Sequence, residues 1–158
     1  MKAVFVVALI LAAAVAHNLE DSYDFSIDDS PVFLAKHNLG SWTPNFDNCN
    51  KTLPFITDSV VFNAKPERGK DIVGTLCGHF DTEKYVKESQ IALLKGKSNL
   101  GNDVVKIGKQ VAAGEKLCYN YKHSVLFIAP SGTYDLTGTL VGQDGKTAVG
   151  CTHVWFDL

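Results

Sequence analysis

Past residue 48 the hydrophobic positions recur mainly every second residue, in short runs punctuated by glycine, proline and Asn/Asp clusters. Such a period of two puts alternate side chains on opposite faces of a β-strand. Residues 55–62 are rich in β-branched and aromatic types and end at the turn signal Lys65-Pro66-Glu67-Arg68-Gly69. Residues 71–80 alternate, with Ile72, Leu76 and Phe80 on one face and Val73, Thr75, Cys77 and His79 on the other. Further strands are predicted over 85–94 and 104–111, and then, after the turn Ala113-Gly114-Glu115, over 116–128. Pro130-Ser131-Gly132 breaks the pattern before residues 133–141, where Tyr134, Leu136 and Leu140 face one way. Asp144-Gly145 is a hairpin signal, because the central residues of a type I′ turn need positive φ. Residues 146–156 close the chain. About seven strands and no sustained helical period predict an all-β fold, an immunoglobulin-like antiparallel β-sandwich. Only residues 83–94, with their Glu, Lys and Gln, also suit a short helix; strand is the reading adopted.

The first residues follow a different rule. Lys2 is followed by an unbroken apolar run over 3–15, and Ala14-Val15-Ala16 has small residues at alternate positions. This is the layout of a secretory signal peptide, residues 1–16. The run falls short of the ~20 residues that a membrane-spanning helix needs. An acidic N-terminal extension, residues 17–48, comes next, with six acids against one base, Lys36. From Cys49 onward there are 11 acids and 13 bases, so a domain is expected over 49–158. The extension also holds Tyr23, Phe25, Ile27, Val32, Phe33 and Leu34. It is too apolar for a simple linker, which leaves a propeptide, an extra edge strand or a flexible arm.

Secretion changes the meaning of Cys49, Cys77, Cys118 and Cys151. An even number of cysteines in an oxidising compartment favours two disulfides, and spacing alone leaves three pairings open. The wide gaps between them argue against a zinc site. Asn50-Lys51-Thr52 is a glycosylation sequon, with Asn50 as acceptor.

A chain of 158 residues with 46% hydrophobic residues and a net charge of −2 is too apolar to be disordered and too acidic for a general nucleic-acid binder. Catalytic signals are absent. None of His17, His37, His79, His123 and His153 lies in a metal-binding or nucleophile motif. Ser124 follows His123 directly, so on a strand the two point to opposite faces and form no nucleophile–base pair. The glycines have no phosphate-cradle order. No enzyme activity, cofactor or metal is expected.

The region from Cys49 to Cys151 resembles the ML lipid-recognition domain family, whose members include the Niemann-Pick type C sterol carrier, the ganglioside activator and phosphatidylglycerol/phosphatidylinositol transfer proteins. The resemblance rests on Ile128-Ala129-Pro130-Ser131-Gly132-Thr133-Tyr134, on Gly138-Thr139-Leu140, on Asp144-Gly145 and on Gly150-Cys151. Phe55-Ile56-Thr57-Asp58-Ser59-Val60, Lys65-Pro66 and Gly69-Lys70 resemble the family's first strand and turn. The family's small disulfide loops lack their cysteines here. The resemblance implies a Cys49–Cys151 disulfide and leaves Cys77 and Cys118 either to pair across the sandwich or to remain buried thiols, with pairing favoured.

The resemblance further implies a secreted or endolysosomal protein that shields a sterol, phospholipid or glycolipid in an apolar cavity between its sheets. Each methylene moved from water into such a space gains about 0.8 kcal/mol. Candidate lining residues are Phe62, Ile72, Leu76, Phe80, Ile91, Leu93, Tyr121, Val125, Phe127, Tyr134, Leu136, Leu140 and Trp155. The plainer alternative is that they fill a close-packed core. Lys84, Lys87, Lys95, Lys97, Lys106 and Lys109 either dock the domain transiently on anionic membranes or guard exposed strands against aggregation. A monomer without a nucleic-acid partner is expected. The competing reading is an extracellular immunoglobulin-like adhesion or recognition module. Its usual tryptophan between inter-sheet cysteines is missing, since Trp42 and Trp155 both lie outside the cysteine span.

Overall fold

The structure is a computed structural model that describes residues 41–158. The expected signal peptide, residues 1–16, and residues 17–40 of the acidic extension lie outside the described residues. The described chain forms eight strands: β1 (Asn45–Asn48), β2 (Phe55–Phe62), β3 (Asp71–Phe80), β4 (Lys84–Lys95), β5 (Ser98–Val111), β6 (Leu117–Ser124), β7 (Thr133–Val141) and β8 (Ala148–Asp157). They make two antiparallel sheets, one of five strands in the order β1-β8-β7-β4-β5 and one of three in the order β2-β3-β6. This is an immunoglobulin-like β-sandwich, as the period-two pattern implies, and the stretch that also suited a short helix is strand over Lys84–Lys95.

The end of the extension supplies an edge strand, one of the roles left open for it, and two strand boundaries differ from the sequence reading. β1 lies within the stretch read as extension and pairs with β8, from Asn45 opposite Trp155 to Asn48 opposite Thr152. β5 begins at Ser98 rather than at 104. Gly96, at φ +57°, turns the chain so tightly that β5 starts three residues after β4 ends its ladder at Lys95. Pairing such as Leu93 opposite Gly101 then overrides the weak strand preference of Asn99, Gly101 and Asn102.

β6, by contrast, ends at Ser124 instead of running to 128. Val125 turns away to accept from Gly69 N at 2.9 Å and to donate from its own N to Lys70 O at 3.1 Å. The apolar run that follows is therefore loop. The β7–β8 hairpin is also longer than a two-residue turn. It closes where Gly142 N donates to Thr147 O, with Gly145 at φ +67° inside it.

Both disulfides form, Cys49–Cys151 and Cys77–Cys118. The second does not cross the sandwich. Cys77 and Cys118 are directly opposite one another on neighbouring strands of the small sheet, on its outer face. The reason is parity: Leu76 and Phe80 point inward, so Cys77 between them points out.

The core lies between the sheets. Phe55, Val60 and Phe62 of β2, Ile72, Leu76 and Phe80 of β3, and Leu117, Tyr119 and Tyr121 of β6 face Val86, Ile91 and Leu93 of β4, Tyr134, Leu136 and Leu140 of β7, and Val154 and Phe156 of β8. Fully burying each large apolar side chain stabilises the fold by about 1.5–3 kcal/mol relative to exposure.

Candidate functional site

The two sheets meet at both long edges. On one side β2 approaches β8, where Thr57 Oγ1 and Thr152 Oγ1 are 2.6 Å apart. On the other β5 approaches β6, where Asp103 Oδ2 lies 2.6 Å from His123 Nδ1. Between these edges runs the apolar interior. Its loop end gathers the β2–β3, β4–β5 and β6–β7 connections and the C-terminus.

Eleven of the thirteen residues expected to line this interior are buried there: Phe62, Ile72, Leu76, Phe80, Ile91, Leu93, Tyr121, Val125, Tyr134, Leu136 and Leu140. Two are not. Phe127 is 81% exposed, because β6 has ended three residues earlier and the side chain stands on a loop. Trp155 faces outward beside His153, with ring centroids 5.2 Å apart. Its neighbours Val154 and Phe156 take the inward positions, so parity sends Trp155 to the other face. Phe156 stacks on Tyr134 at 6.0 Å and meets Phe62 edge-on at 5.8 Å. Antiparallel pairing puts Tyr134 opposite Phe156, so Phe156 rather than Trp155 joins the inward set Tyr134, Leu136 and Leu140.

Polar groups inside are few. Among the described residues other than tyrosines, only Ser89 and Thr152 are buried polar side chains, and none that is buried carries a charge. Tyr119, missed in the sequence reading, reaches across from β6 so that Ser89 Oγ of β4 donates to its Oη at 3.2 Å. Gly138 lies beside that pair, where a Cβ would stand in ordinary contact, 3.4 Å from Tyr119 Oη. Tyr121 projects inward two residues further along β6. Its ring lies over Gly74, where a Cβ would come within 2.6 Å of Tyr121 Cε1, and it meets Phe62 edge-on at 5.8 Å. Tyr121 Oη is buried and has no hydrogen-bond partner among the described residues. Burial pushes the Tyr119 hydroxyl up to about 12, and burial with Tyr119 nearby pushes Tyr121 well above the ordinary tyrosine value. Both remain neutral phenols at physiological pH.

The three described histidines serve as partners of carboxylates. His79 Nδ1 lies 3.0 Å from Asp58 Oδ1, and His153 Nε2 lies 2.9 Å from Asp135 Oδ1. His123 turns inward to Asp103, whereas Ser124 turns outward and donates to Asp71 Oδ1 at 2.6 Å. The adjacent pair is thus split between faces, as strand geometry requires. Asp71 is held below its ordinary value by hydrogen bonds from Lys122 and Ser124.

The six lysines read either as a membrane-docking set or as guards of exposed strands lie toward both ends of β4 and β5 rather than in one cluster. Lys84 and Lys95 open and close β4, a strand of 12 residues, which at ~3.3 Å per residue sets them over 30 Å apart. Lys109 is paired with Glu115 at 3.0 Å. Lys95 instead bonds Ser131 O at 2.5 Å and lies 5.1 Å above the Tyr134 ring. Another surface at the loop end is more distinctive. Leu126, Phe127 and Ile128 are 67%, 81% and 83% exposed, in sequence order. Phe127 leans on Gly69 of the β2–β3 loop, whose Lys65, Arg68 and Lys70 are exposed.

No family model matches the sequence. No curated protein matches it either. Among solved structures, the chain is similar to a Niemann-Pick type C2 protein from the Japanese carpenter ant, at 8% identity and a TM-score of 0.54, over 72% of this chain and 98% of that one. It also aligns with the sporulation control protein Spo0M of Bacillus subtilis, at 10% identity and 0.48 over 66% and 47% of the two chains. A third alignment is with chicken MD-1 complexed with lipid IVa, at 13% identity and 0.42 over 75% and 98%. The last two likenesses carry no argument, and the first, at 8% identity, bears on the fold alone. The sandwich of this chain therefore has a fold similar to that of a Niemann-Pick type C2 protein, in keeping with the resemblance to the ML family carried by the sequence.

Proposed function

We propose that this chain is a secreted or endolysosomal lipid-binding protein that shields a sterol, phospholipid or glycolipid between its two sheets and passes it between membranes. It acts by holding a ligand rather than transforming one. The observation that carries this reading is the inter-sheet interior itself. Two facing sheets contribute aromatic and aliphatic side chains, with no buried charge among the described residues, in a fold similar to a Niemann-Pick type C2 protein. An apolar ligand entering such a space gives up water for hydrocarbon along its length. Two disulfides support an oxidising destination. Asn50 is exposed beside Cys49 with its Oδ1 turned to Thr52, which suits a glycan acceptor on a surface turn. The loop end, with exposed Leu126, Phe127 and Ile128 beside basic residues, supports transient contact with anionic membranes.

The test is extraction of natively purified protein with organic solvent, followed by mass spectrometry, together with uptake of fluorescent sterol and phospholipid. A bound lipid at near-stoichiometric yield, or saturable uptake, is expected. Protein that carries no lipid and takes up neither probe would overturn the reading.

A further inference from the structure

Tyr121 is the one buried side chain among the described residues whose polar atom has no partner. It projects from β6 into the space between the sheets, two residues from Tyr119, whose hydroxyl does have a partner in Ser89. A phenylalanine would fill the same volume without stranding a hydroxyl, and a stranded hydroxyl in an apolar interior is costly. The fold also makes room for this ring in particular. Gly74 lies beneath it, and any larger residue there would collide with both Tyr121 and Phe62.

We propose that the Tyr121 hydroxyl is the polar anchor of the binding site, hydrogen-bonding an uncharged hydroxyl or carbonyl oxygen carried on the apolar body of the ligand. This rests on the lipid-binding reading and names the ligand chemistry at that site. An ionised phosphate or carboxylate does not suit the position, because no buried cation among the described residues would compensate it. The ionisable pair on this face, Asp103 with His123, sits toward the loop end and brings its own carboxylate, 41% exposed. A charged headgroup therefore stays in water outside the interior, while a neutral oxygen reaches Tyr121. Its raised titration keeps the phenol protonated, able to donate to a carbonyl and either to donate to or accept from a hydroxyl.

The experiment compares wild type with Tyr121→Phe for retention of radiolabelled lipids delivered from cyclodextrin, in matched pairs with and without oxygen. Cholesterol is set against cholest-5-ene, for a hydroxyl. Methyl palmitate is set against heptadecane, for a carbonyl. Loss of one neutral hydrogen bond is expected to weaken retention of the oxygenated member of at least one pair by about five- to tenfold, with its hydrocarbon partner unchanged. The pair that responds identifies the oxygen. The ligand-free Tyr121→Phe protein is expected to melt no lower than wild type, since no hydrogen bond is lost. If wild type retains lipid and the substitution shifts both members of each pair equally, the anchor is overturned while the lipid-binding reading stands. A lower melting temperature for the ligand-free variant would also overturn it, because the hydroxyl would then have a partner, such as an ordered water. If wild type retains none of the four lipids, the anchor is overturned, and the lipid-binding reading falls with it only where native extraction and phospholipid uptake fail as well.

Discussion

Thr152 Oγ1 of β8 lies 2.6 Å from Thr57 Oγ1 of β2, and the direction of that hydrogen bond is fixed by its neighbour. Thr57 Oγ1 donates its only proton to Asn48 Oδ1 at 2.8 Å, so Thr152 must be the donor to Thr57. Asn48 Oδ1 also accepts from Thr57 N at 3.1 Å. A three-residue chain of polar contacts thus ties β8 and β1 of the large sheet to β2 of the small one. Thr152→Val should cost about 1 kcal/mol, the net worth of one neutral hydrogen bond. Thr57→Val should cost more, about 1–3 kcal/mol, because it strands the buried Thr152 hydroxyl. The double substitution removes donor and acceptor together and should cost less than the sum. Urea denaturation of the four proteins checks this; strictly additive costs would mean that the two hydroxyls are not coupled.

Gly74 and Tyr121 are directly opposite on neighbouring strands, and the glycine provides space for the ring. A Cβ at Gly74 would meet Tyr121 Cζ at 2.8 Å and Phe62 Cδ1 at 2.9 Å. Gly74→Ala should destabilise the protein by about 1–3 kcal/mol through overpacking. The cost should shrink when Tyr121 is also replaced by leucine, which frees the crowded volume. Thermal or chemical denaturation of the single and double variants measures it.

Much of this was legible because period-two alternation is a local property. Inward sets such as Ile72, Leu76 and Phe80, or Tyr134, Leu136 and Leu140, follow from the alternation alone, and all six are buried. Legibility failed where tertiary pairing decided the outcome. Val125-Leu126-Phe127-Ile128 has the composition of a strand end, yet the β2–β3 loop captures Val125 through two backbone hydrogen bonds and leaves the next three residues in water. Trp155 faces outward because its pairing opposite Asp135 fixes its parity, and that register is set by the partner strand rather than by the local pattern. Tyr119 and Tyr121 look alike in sequence. Only the opposite sheet, which supplies Ser89 to one and nothing to the other, separates them.

Exposure of Leu126, Phe127 and Ile128 beside Lys65, Arg68 and Lys70 predicts a membrane-touching tip. Burying one phenylalanine is worth about 1.5–3 kcal/mol, so Phe127→Asp should weaken binding to phosphatidylserine-containing vesicles by roughly 10- to 100-fold. Each nearby cation adds about 1 kcal/mol, a contribution that salt screens. Vesicle co-sedimentation at low and high salt tests both. Equal binding by wild type and Phe127→Asp would place the contact elsewhere, or show that another part of the chain covers the tip.

The Cys49–Cys151 bridge joins residues 102 apart in sequence, whereas Cys77–Cys118 joins residues 41 apart. In the chain-entropy picture the longer loop constrains the unfolded state more, at about 4–5 kcal/mol. The Cys49→Ser/Cys151→Ser variant should therefore lose that much stability and release β1 from β8 near Asn48. Denaturation compared with the Cys77→Ser/Cys118→Ser variant tests the order, and a larger loss in the latter would contradict it.

Asp144 gives the fold a defined response to acid. In the β7–β8 hairpin its Oδ2 accepts from Thr147 Oγ1 at 2.5 Å, while Oδ1 accepts from Thr147 N at 2.8 Å and Lys146 N at 2.9 Å. These bonds, the Thr147 hydroxyl foremost, favour the carboxylate and lower its titration from 3.8 to about 2. A group whose folded value lies below its unfolded one stabilises the fold above the unfolded value and loses that contribution as pH falls through the folded one. The hairpin contribution should therefore be whole above about pH 4 and fade toward pH 2. Asp144→Asn keeps one acceptor and loses the charge, so its stability deficit against wild type should be constant at neutral pH and vanish in strong acid. Chemical-shift titration of the Asp144 carboxyl, paired with urea midpoints of both proteins across that window, provides the check. A deficit that persists unchanged at pH 2 would mean that the neutral amide side chain itself, and not loss of the ionised carboxylate, disturbs the turn.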